Sequence, residues 1–442
     1  MSKTAYLDVC QRCVQKAVAL GAEWCDVSAG AVRDISVTIE KSGIKTADSG
    51  QGEEVAIRAF VRGGMGYAVV SGRSRRDIEA SVERAVALAK EATADPDFKR
   101  LPAPQPAPEV EGLFDDRIAG MSVGEVVRIA VANIETGRAM EADANLSGHV
   151  SLAVGEAALA SSTGVAIESR GTEIDADIEA LVKRGSDSGY FYDFDFGRNL
   201  ADCCLQTVAA SAVAGARRFL GAKRIKSGRM SLVLGPLAAY GFLGGIVSAA
   251  NAESIQRGRS YLCGKVGEAI ASEHLTIVDD PLIPRGLRSG AHDGEGTRRR
   301  PLTILDRGRL VSLLHNSYTA GKACTESTGH GTHSGGIGAS NLRPALGAKT
   351  AAEILCEVQE GIYLESGELR ADPASGDLSA SIDFGFYVKD GQVRFPVESA
   401  MIGGNILDLL PRLDAVSSDA REEPGILMPT VRLQDVQIAG AE

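Results

Sequence analysis

Residues able to do chemistry gather between Asp279 and Asn341, a 63-residue stretch in which Gly, Pro, Asp and His alternate with short apolar pairs. His330 and His333 stand three apart, with His292 and Asp293 upstream. Imidazoles and a carboxylate can together hold a metal ion. The glycines around both histidines favour a loop with a structural or peptide-contacting task instead. Asp279 and Asp280 can pair as acid and base, yet the Pro281 that follows reads more simply as a turn. Asp293 and Glu295 flank Gly294 and suit a loop held by carboxylates that accept backbone N–H groups. His315 closes the apolar run Leu313-Leu314 and reads as the end of a strand. A segment this long without periodicity is uncommon in a compact domain unless it has a function.

The elements that must position these residues read as α+β. Residues 6–20 carry apolar side chains at helical spacing, and Ile35, Val37 and Ile39 alternate as in a half-buried strand. Val55–Val61 is a second strand, Gly63–Gly66 turns the chain, and 74–93 returns to helix. A Pro-rich spacer at 101–108 is stiff and extended and closes an N-terminal block, residues 1–108. A central block, 109–226, has a helix over 122–142, strands over 144–182 with a hairpin turn at Ser161–Gly164, and helix over 198–220. Its element order repeats that of the first block, which suggests duplication without residue-level similarity. A β-rich, mostly antiparallel block fills 227–442. It opens with the strand Met230–Leu234 and includes strands at Leu302–Leu305, Ser381–Val388 and Val393–Pro396, with helices at 350–361 and 404–413.

A chain of 442 residues with 44% hydrophobic side chains can build two or three cores. A net charge of −11 argues against nucleic acid as a direct partner. The only dense basic cluster, Arg298-Arg299-Arg300, reads as a solvated turn. No apolar run is long enough for a membrane span, and the N-terminus lacks the pattern of a secretory signal. Eight scattered cysteines suit reduced thiols and a cytoplasmic location. Cys10 and Cys13 form a CxxC inside a helical pattern and read as structural, as do the adjacent Cys203 and Cys204.

The order Asp279-Asp280-Pro281, Gly286-Leu287, Ser289, Asp293, Glu295-Gly296, then Tyr318-Thr319-Ala320, then Ser327-Thr328-Gly329-His330 resembles the TldD/PmbA family, which includes metal-dependent peptidases and their partner subunits. Active members resemble zinc peptidases with HExxxH on a helix after a strand like Met230–Leu234. There the histidines ligate metal and the Glu acts as base on bound water. The run Arg257–Glu268 matches the family and fixes the register. It places Leu243, Gly244 and Ser248 where the two histidines and the Glu would stand. The family's third ligand, a Cys near the C-terminus, has no counterpart after Cys356.

Together with Pro396-Val397, Gly404-Asn405 and Leu407, and the closing Ile438-Ala439-Gly440, this resembles the family's PmbA/TldE-type branch. The resemblance implies no catalytic residue and no cofactor in this chain, with zinc held by a TldD-type partner subunit. It implies a chain inactive alone, a homodimer in the partner's absence, and flexible peptide substrates of the microcin or antitoxin type. Ser327, Thr328, Gly329, His330, His333 and Asp293 are then candidates for contacting peptide, with exposed strand edges binding it by β-augmentation. Two other readings stay open. One is an independent hydrolase with a metal site relocated to Asp293, His330 and His333. The other follows the family's older label, modulator of DNA gyrase.

Overall fold

Two helix–strands–helix units build one sheet. In this computed structural model, which describes residues 4–72 and 74–441, α1 (Thr4–Ala19) leads into β1 (Trp24–Glu40), β2 (Gly43–Val61) and β3 (Gly64–Ser71), and α2 (Arg75–Glu91) follows. After the short α3 (Asp116–Gly120), α4 (Val123–Met140) leads into β4 (Asn145–Ser161), β5 (Ala166–Arg184) and β6 (Asp187–Gly197), closed by α5 (Val208–Arg218). Strand order is β3-β2-β1-β4-β5-β6. The pairing of β1 with β4 runs from Asp26↔Ser161 to Ile39↔Gly148. The two blocks that the sequence divides at its Pro-rich spacer therefore share one antiparallel sheet, although that spacer does separate them along the chain.

Strand alternation decides the layers. Cys25, Val27, Ala29, Ile35, Val37 and Ile39 of β1 are all buried. The first three pack with Cys10, Val14, Val82 and Val86 of α1 and α2. The last three pack with Val126 and Ile134 of α4 and with Ala212 and Val213 of α5. Matching glycines admit the helices. A Cβ on Gly66 of β3 would lie 2.0 Å from the Ala85 carbonyl of α2, and one on Gly189 of β6 would lie 1.9 Å from the Ala216 carbonyl of α5.

The C-terminal block begins with β7 (Gly228–Leu234), α6 (Pro236–Ala249) and α7 (Ala252–Gln256). Strands β8 (Ile277–Asp279), β9 (Leu302–Asp306) and β10 (Arg309–Leu310), helix α8 (Ser317–Lys322), β11 (Leu342–Pro344) and α9 (Ala351–Cys356) follow. Then come β12 (Glu360–Ser366), β13 (Asp377–Ser381), β14 (Phe384–Lys389), β15 (Gln392–Pro396), β16 (Met401–Asn405), β17 (Leu413–Glu423) and β18 (Ile426–Ala439). They form a second, mostly antiparallel sheet whose main path is β10-β9-β8-β11-β18-β7-β12-β14-β15. The fold is α+β. An aromatic cluster of Phe191, Phe219, Phe384 and Phe386 seats it against the first sheet, with Phe219 and Phe386 centroids 4.7 Å apart.

In the C-terminal block three local readings change. The helix expected over 350–361 stops at Cys356, because Gly361–Leu364 pair with β7 and Glu360–Ser366 with β14. The strand expected over Ser381–Val388 breaks between β13 and β14, where Ile382 donates its N–H to the Ala400 carbonyl. The helix expected at 404–413 starts only at Ile406, with one α turn over Ile406–Leu409 and a 3-10 turn over Leu410–Arg412, because Gly404 and Asn405 belong to β16. In each case long-range pairing overrides local preference. No helix among the described residues is long and apolar enough to cross a membrane.

Candidate functional site

Strands β8 and β11 pair antiparallel, Asp279 opposite Leu342, so the 63-residue stretch leaves and returns at one point. Its inner end is a hydrogen-bonded brace. His330 Nε2 lies 2.8 Å from Asp279 Oδ2, and Nδ1 lies 2.8 Å from Thr328 Oγ1. A carboxylate can only accept, so Nε2 donates to Asp279, while Nδ1 shares a hydrogen bond with the Thr328 hydroxyl, which also reaches the His315 carbonyl at 3.1 Å. Asp279 also accepts from Ser340 N at 2.8 Å and Ser340 Oγ at 2.5 Å. Hydroxyl, imidazole and carboxylate stand in line, but His330 is 2% exposed and Asp279 is fully buried. The trio ties the ends of the loop together.

Asp293 holds the next turn. It accepts from Glu295 N at 3.0 Å, Thr297 N at 2.8 Å and Gly331 N at 2.8 Å. Burial and the neighbouring Glu295 charge push its carboxyl up to about 6, against the pull of those N–H groups. The consequence for stability has a definite sign. Between about pH 4, the ordinary aspartate value, and about pH 6 the folded chain keeps a proton that the unfolded chain has lost. Stability is then expected to fall as pH rises through that window. Urea midpoints taken across it should decline less steeply for Asp293→Asn. Parallel slopes for the two proteins would show that Asp293 does not titrate there.

Glu295 reaches the first sheet. Its Oε2 accepts from Ser317 N at 2.8 Å, and its Oε1 lies 3.2 Å from Arg58 Nη1. Arg58 also binds Asp26 through two bonds, Nε–Oδ1 at 3.0 Å and Nη2–Oδ2 at 2.6 Å. Asp26 and Arg58 sit opposite one another on β1 and β2. Burial alone would raise Asp26, but Arg58 and His333 overcome it and hold the carboxyl at about 2. Burial works equally against the Arg58 charge, yet Asp26 and Glu295 keep its proton bound more tightly than usual. His333 Nε2 lies 3.5 Å from Asp26 Oδ1. That contact is an ion pair when the ring is charged rather than an aligned hydrogen bond, and neither ring nitrogen has a hydrogen-bond partner.

Beside this network runs a groove of about 1280 Å³ between the first sheet and the loop, lined by Gly30, Val32, Leu159 and Arg170 on one side and Asp293 and His333 on the other. Of the residues expected to meet peptide, the structure brings Asp293 and His333 to it. Ser327, Thr328 and Gly329 lie behind with the buried His330. Gly329 adopts φ +77°, and a Cβ there would stand 2.9 Å from the Arg298 carbonyl. The relocated metal site does not fit. Asp293 spends both oxygens on backbone N–H groups, and His330 spends both nitrogens on Thr328 and Asp279. Sequence reading missed Asp26 and Arg58. The available signal was a charged residue at each of two otherwise apolar strand positions, Cys25-Asp26-Val27 and Ile57-Arg58-Ala59.

The second place is α6. Pro236 opens it at a position where no N–H is needed, and Phe242, Leu243, Ile246 and Val247 drive into the C-terminal core. Gly241, Gly244, Gly245 and Ser248 line a cleft of about 230 Å³. Ser248 Oγ donates to the Gly244 carbonyl at 3.1 Å. These residues do not fit zinc: Leu243 is apolar and buried, Gly244 has no side chain, and the hydroxyl is spent on backbone. Among the described residues no group of three or more His, Cys, Asp or Glu is arranged to hold a metal ion. The purified chain is expected to retain substoichiometric zinc after dialysis, and a full equivalent by elemental analysis would contradict this.

Residues 227–440 match the family model described as PmbA/TldA metallopeptidase C-terminal domain, and residues 25–89 match PmbA/TldA metallopeptidase domain 1. The chain is 30% identical over 268 residues to metalloprotease PmbA of Escherichia coli O157:H7, covering 59% of this chain and 57% of that one. It is similar in structure to TldE from Thermococcus kodakarensis, with a TM-score of 0.91 at 24% identity over 98% of this chain and 100% of that one. It is also similar to a protein of Bacteroides thetaiotaomicron titled a putative modulator of DNA gyrase, with a TM-score of 0.89 at 20% identity over 98% of each chain.

Proposed function

Because the chain belongs to the PmbA/TldD metallopeptidase family, we propose that it is the non-catalytic subunit of a TldD/TldE-type zinc peptidase acting on flexible peptides of the microcin-precursor or antitoxin kind. The observation that carries this reading is α6. The helix is kept and packed, but Leu243, Gly244 and Ser248 offer neither imidazole nor carboxylate. A hydrolase of this class needs ligands for the metal and a base for its water. A TldD-type partner supplies both, with zinc as its cofactor.

What remains to this chain is to shape the chamber and hold substrate. The groove beside Asp293 and His333 has room for an extended peptide. Strand β3 lies at a sheet edge and leaves Met65 50%, Tyr67 36% and Val69 38% exposed, an apolar stripe beside unpaired backbone groups. Main-chain bonds at such an edge bind many sequences. The reading is tested by reconstitution. The chain alone leaves an unfolded peptide intact, with or without zinc, and adding it to a paralogue that retains HExxxH raises cleavage well above the paralogue alone. Equal rates with and without the chain would overturn it.

A further inference from the structure

The cleft beside α6 has an unusual charge pattern. In a chain of net charge −11, its lining contains two arginines, Arg288 and Arg370, and no aspartate or glutamate. Among the described residues neither guanidinium has an ion pair or hydrogen bond. Glu173 feels the charge of Arg288 without pairing with it. The two arginines come from separate loops, each seated by a glycine. Gly425 has φ +77°, and a Cβ there would lie 2.5 Å from Arg288 Cδ, so the arginine stem lies across bare backbone. A Cβ on Gly241 of α6 would lie 3.3 Å from Leu369 N, so the loop after β12 that carries Arg370 rests on the helix.

Other donors face the same space. Asn251 uses its Oδ1 to cap α7 at Glu253 N and Ser254 N, which leaves its amide N–H groups uncommitted. The floor is Gly244 and Gly245, where an added Cβ would meet nothing within 4 Å. Unpaired guanidiniums, an amide donor and open volume without a competing carboxylate form a receptor for an anion. Arginine matches a carboxylate in particular because its two N–H bonds run parallel to the two oxygens.

We propose that this cleft binds a peptide carboxylate, with Arg288 and Arg370 as its anchors. A second cavity of about 440 Å³ shares Tyr240, Gly241, Arg370 and Pro424 with it and gives the preceding residues of the peptide a path away from the anchor. That path runs past Glu368, Asp383 and Glu423, which disfavour a second carboxylate there. The choice of peptide as ligand rests on the subunit reading above, whereas the anion preference rests on the cleft alone. The place that cannot hold metal thus holds the charged part of a substrate.

The test is equilibrium binding to the full isolated chain, measured by isothermal titration calorimetry. The probe is a short unstructured Gly/Ser/Ala peptide with a free C-terminal carboxylate. Binding is expected, weaker at high salt, and weaker by about tenfold or more for Arg288→Gln or Arg370→Gln, the worth of one charge-assisted contact. Both arginines are exposed, so thermal unfolding should show the variants folded as the parent is. Two arms separate the sources of carboxylate. Amidation of the terminus abolishes binding if the C-terminus is read. An amidated peptide carrying one internal Glu still binds if side-chain carboxylates are read. The proposal is overturned if neither peptide binds the parent chain, or if the double arginine variant binds them as tightly. No catalysis is involved, so this result stands or falls apart from reconstituted cleavage.

Discussion

Replacing Arg58 with Met is expected to destabilise the chain by about 3–5 kcal/mol, the cost of breaking a buried ion pair by removing one partner. The size follows from what is left behind. Asp26 is fully buried and Glu295 is 1% exposed. Without the guanidinium one loses two charge-assisted bonds and the other loses one. Arg58→Lys keeps the charge but not the paired geometry, so it should fall between the parent and Arg58→Met. Replacing all three residues together, as Asp26→Asn, Arg58→Met and Glu295→Gln, should cost far less than the sum of the single changes, because residues in one network are not additive.

The measurement is the urea midpoint followed by fluorescence of the single tryptophan, Trp24, two residues from Asp26. A loss below about 1 kcal/mol for Arg58→Met would mean that water or a rearranged His333 supports the carboxylates, since such a value matches an exposed pair. The pH dependence gives a second check. Asp26 is depressed to about 2, so its stabilisation is present above the ordinary aspartate value of about 4 and is lost as pH falls through about 2. Arg58→Met should shrink this acid limb, because the larger of the two charges that depress Asp26 is gone and only His333 remains beside it.

That network also shows where sequence reading ends. Ile35, Val37 and Ile39 announce a strand face through period two, and the apolar residues of α6 remain legible although the helix is rich in glycine. The Asp279–Asn341 stretch is legible as a functional or family-specific loop because its Gly, Pro and Asp residues carry backbone chemistry in their own types. Which groups that loop touches is another matter. Arg58 and Glu295 are 237 positions apart, and no periodicity encodes a contact between a strand residue and a distant loop. The pairing of β1 with β4 escapes for a related reason. A Pro-rich spacer is a strong local signal of separation, yet it does not prevent the strands on either side from sharing a sheet. The anion cleft was hidden because its arginines are ordinary surface residues in sequence and acquire meaning only when Gly241 and Gly425 bring their segments together.

Mixing this chain with a paralogue that retains HExxxH is expected to raise cleavage of an unfolded peptide at least about tenfold over the paralogue alone, which corresponds to about 1.4 kcal/mol of barrier. The gain should come from holding and enclosing substrate, because this chain has no group at α6 that can activate water. Correct placement alone can supply a gain of that size. Gly329 separates this account from mere assembly. Its φ of +77° and the 2.9 Å approach to the Arg298 carbonyl leave no room for a side chain. Arg299, whose Nε donates to the Gly329 carbonyl at 3.2 Å, would move with it, and Arg299 lines the groove with Asp293 and His333. Gly329→Leu should therefore reduce turnover of the mixture while size-exclusion chromatography still shows the complex. Disruption of the complex by this change would assign the loop to the subunit interface instead. Cleavage by the isolated chain that Asp293→Asn removes would point to chemistry in the loop itself and would reverse the assignment of roles between the two subunits.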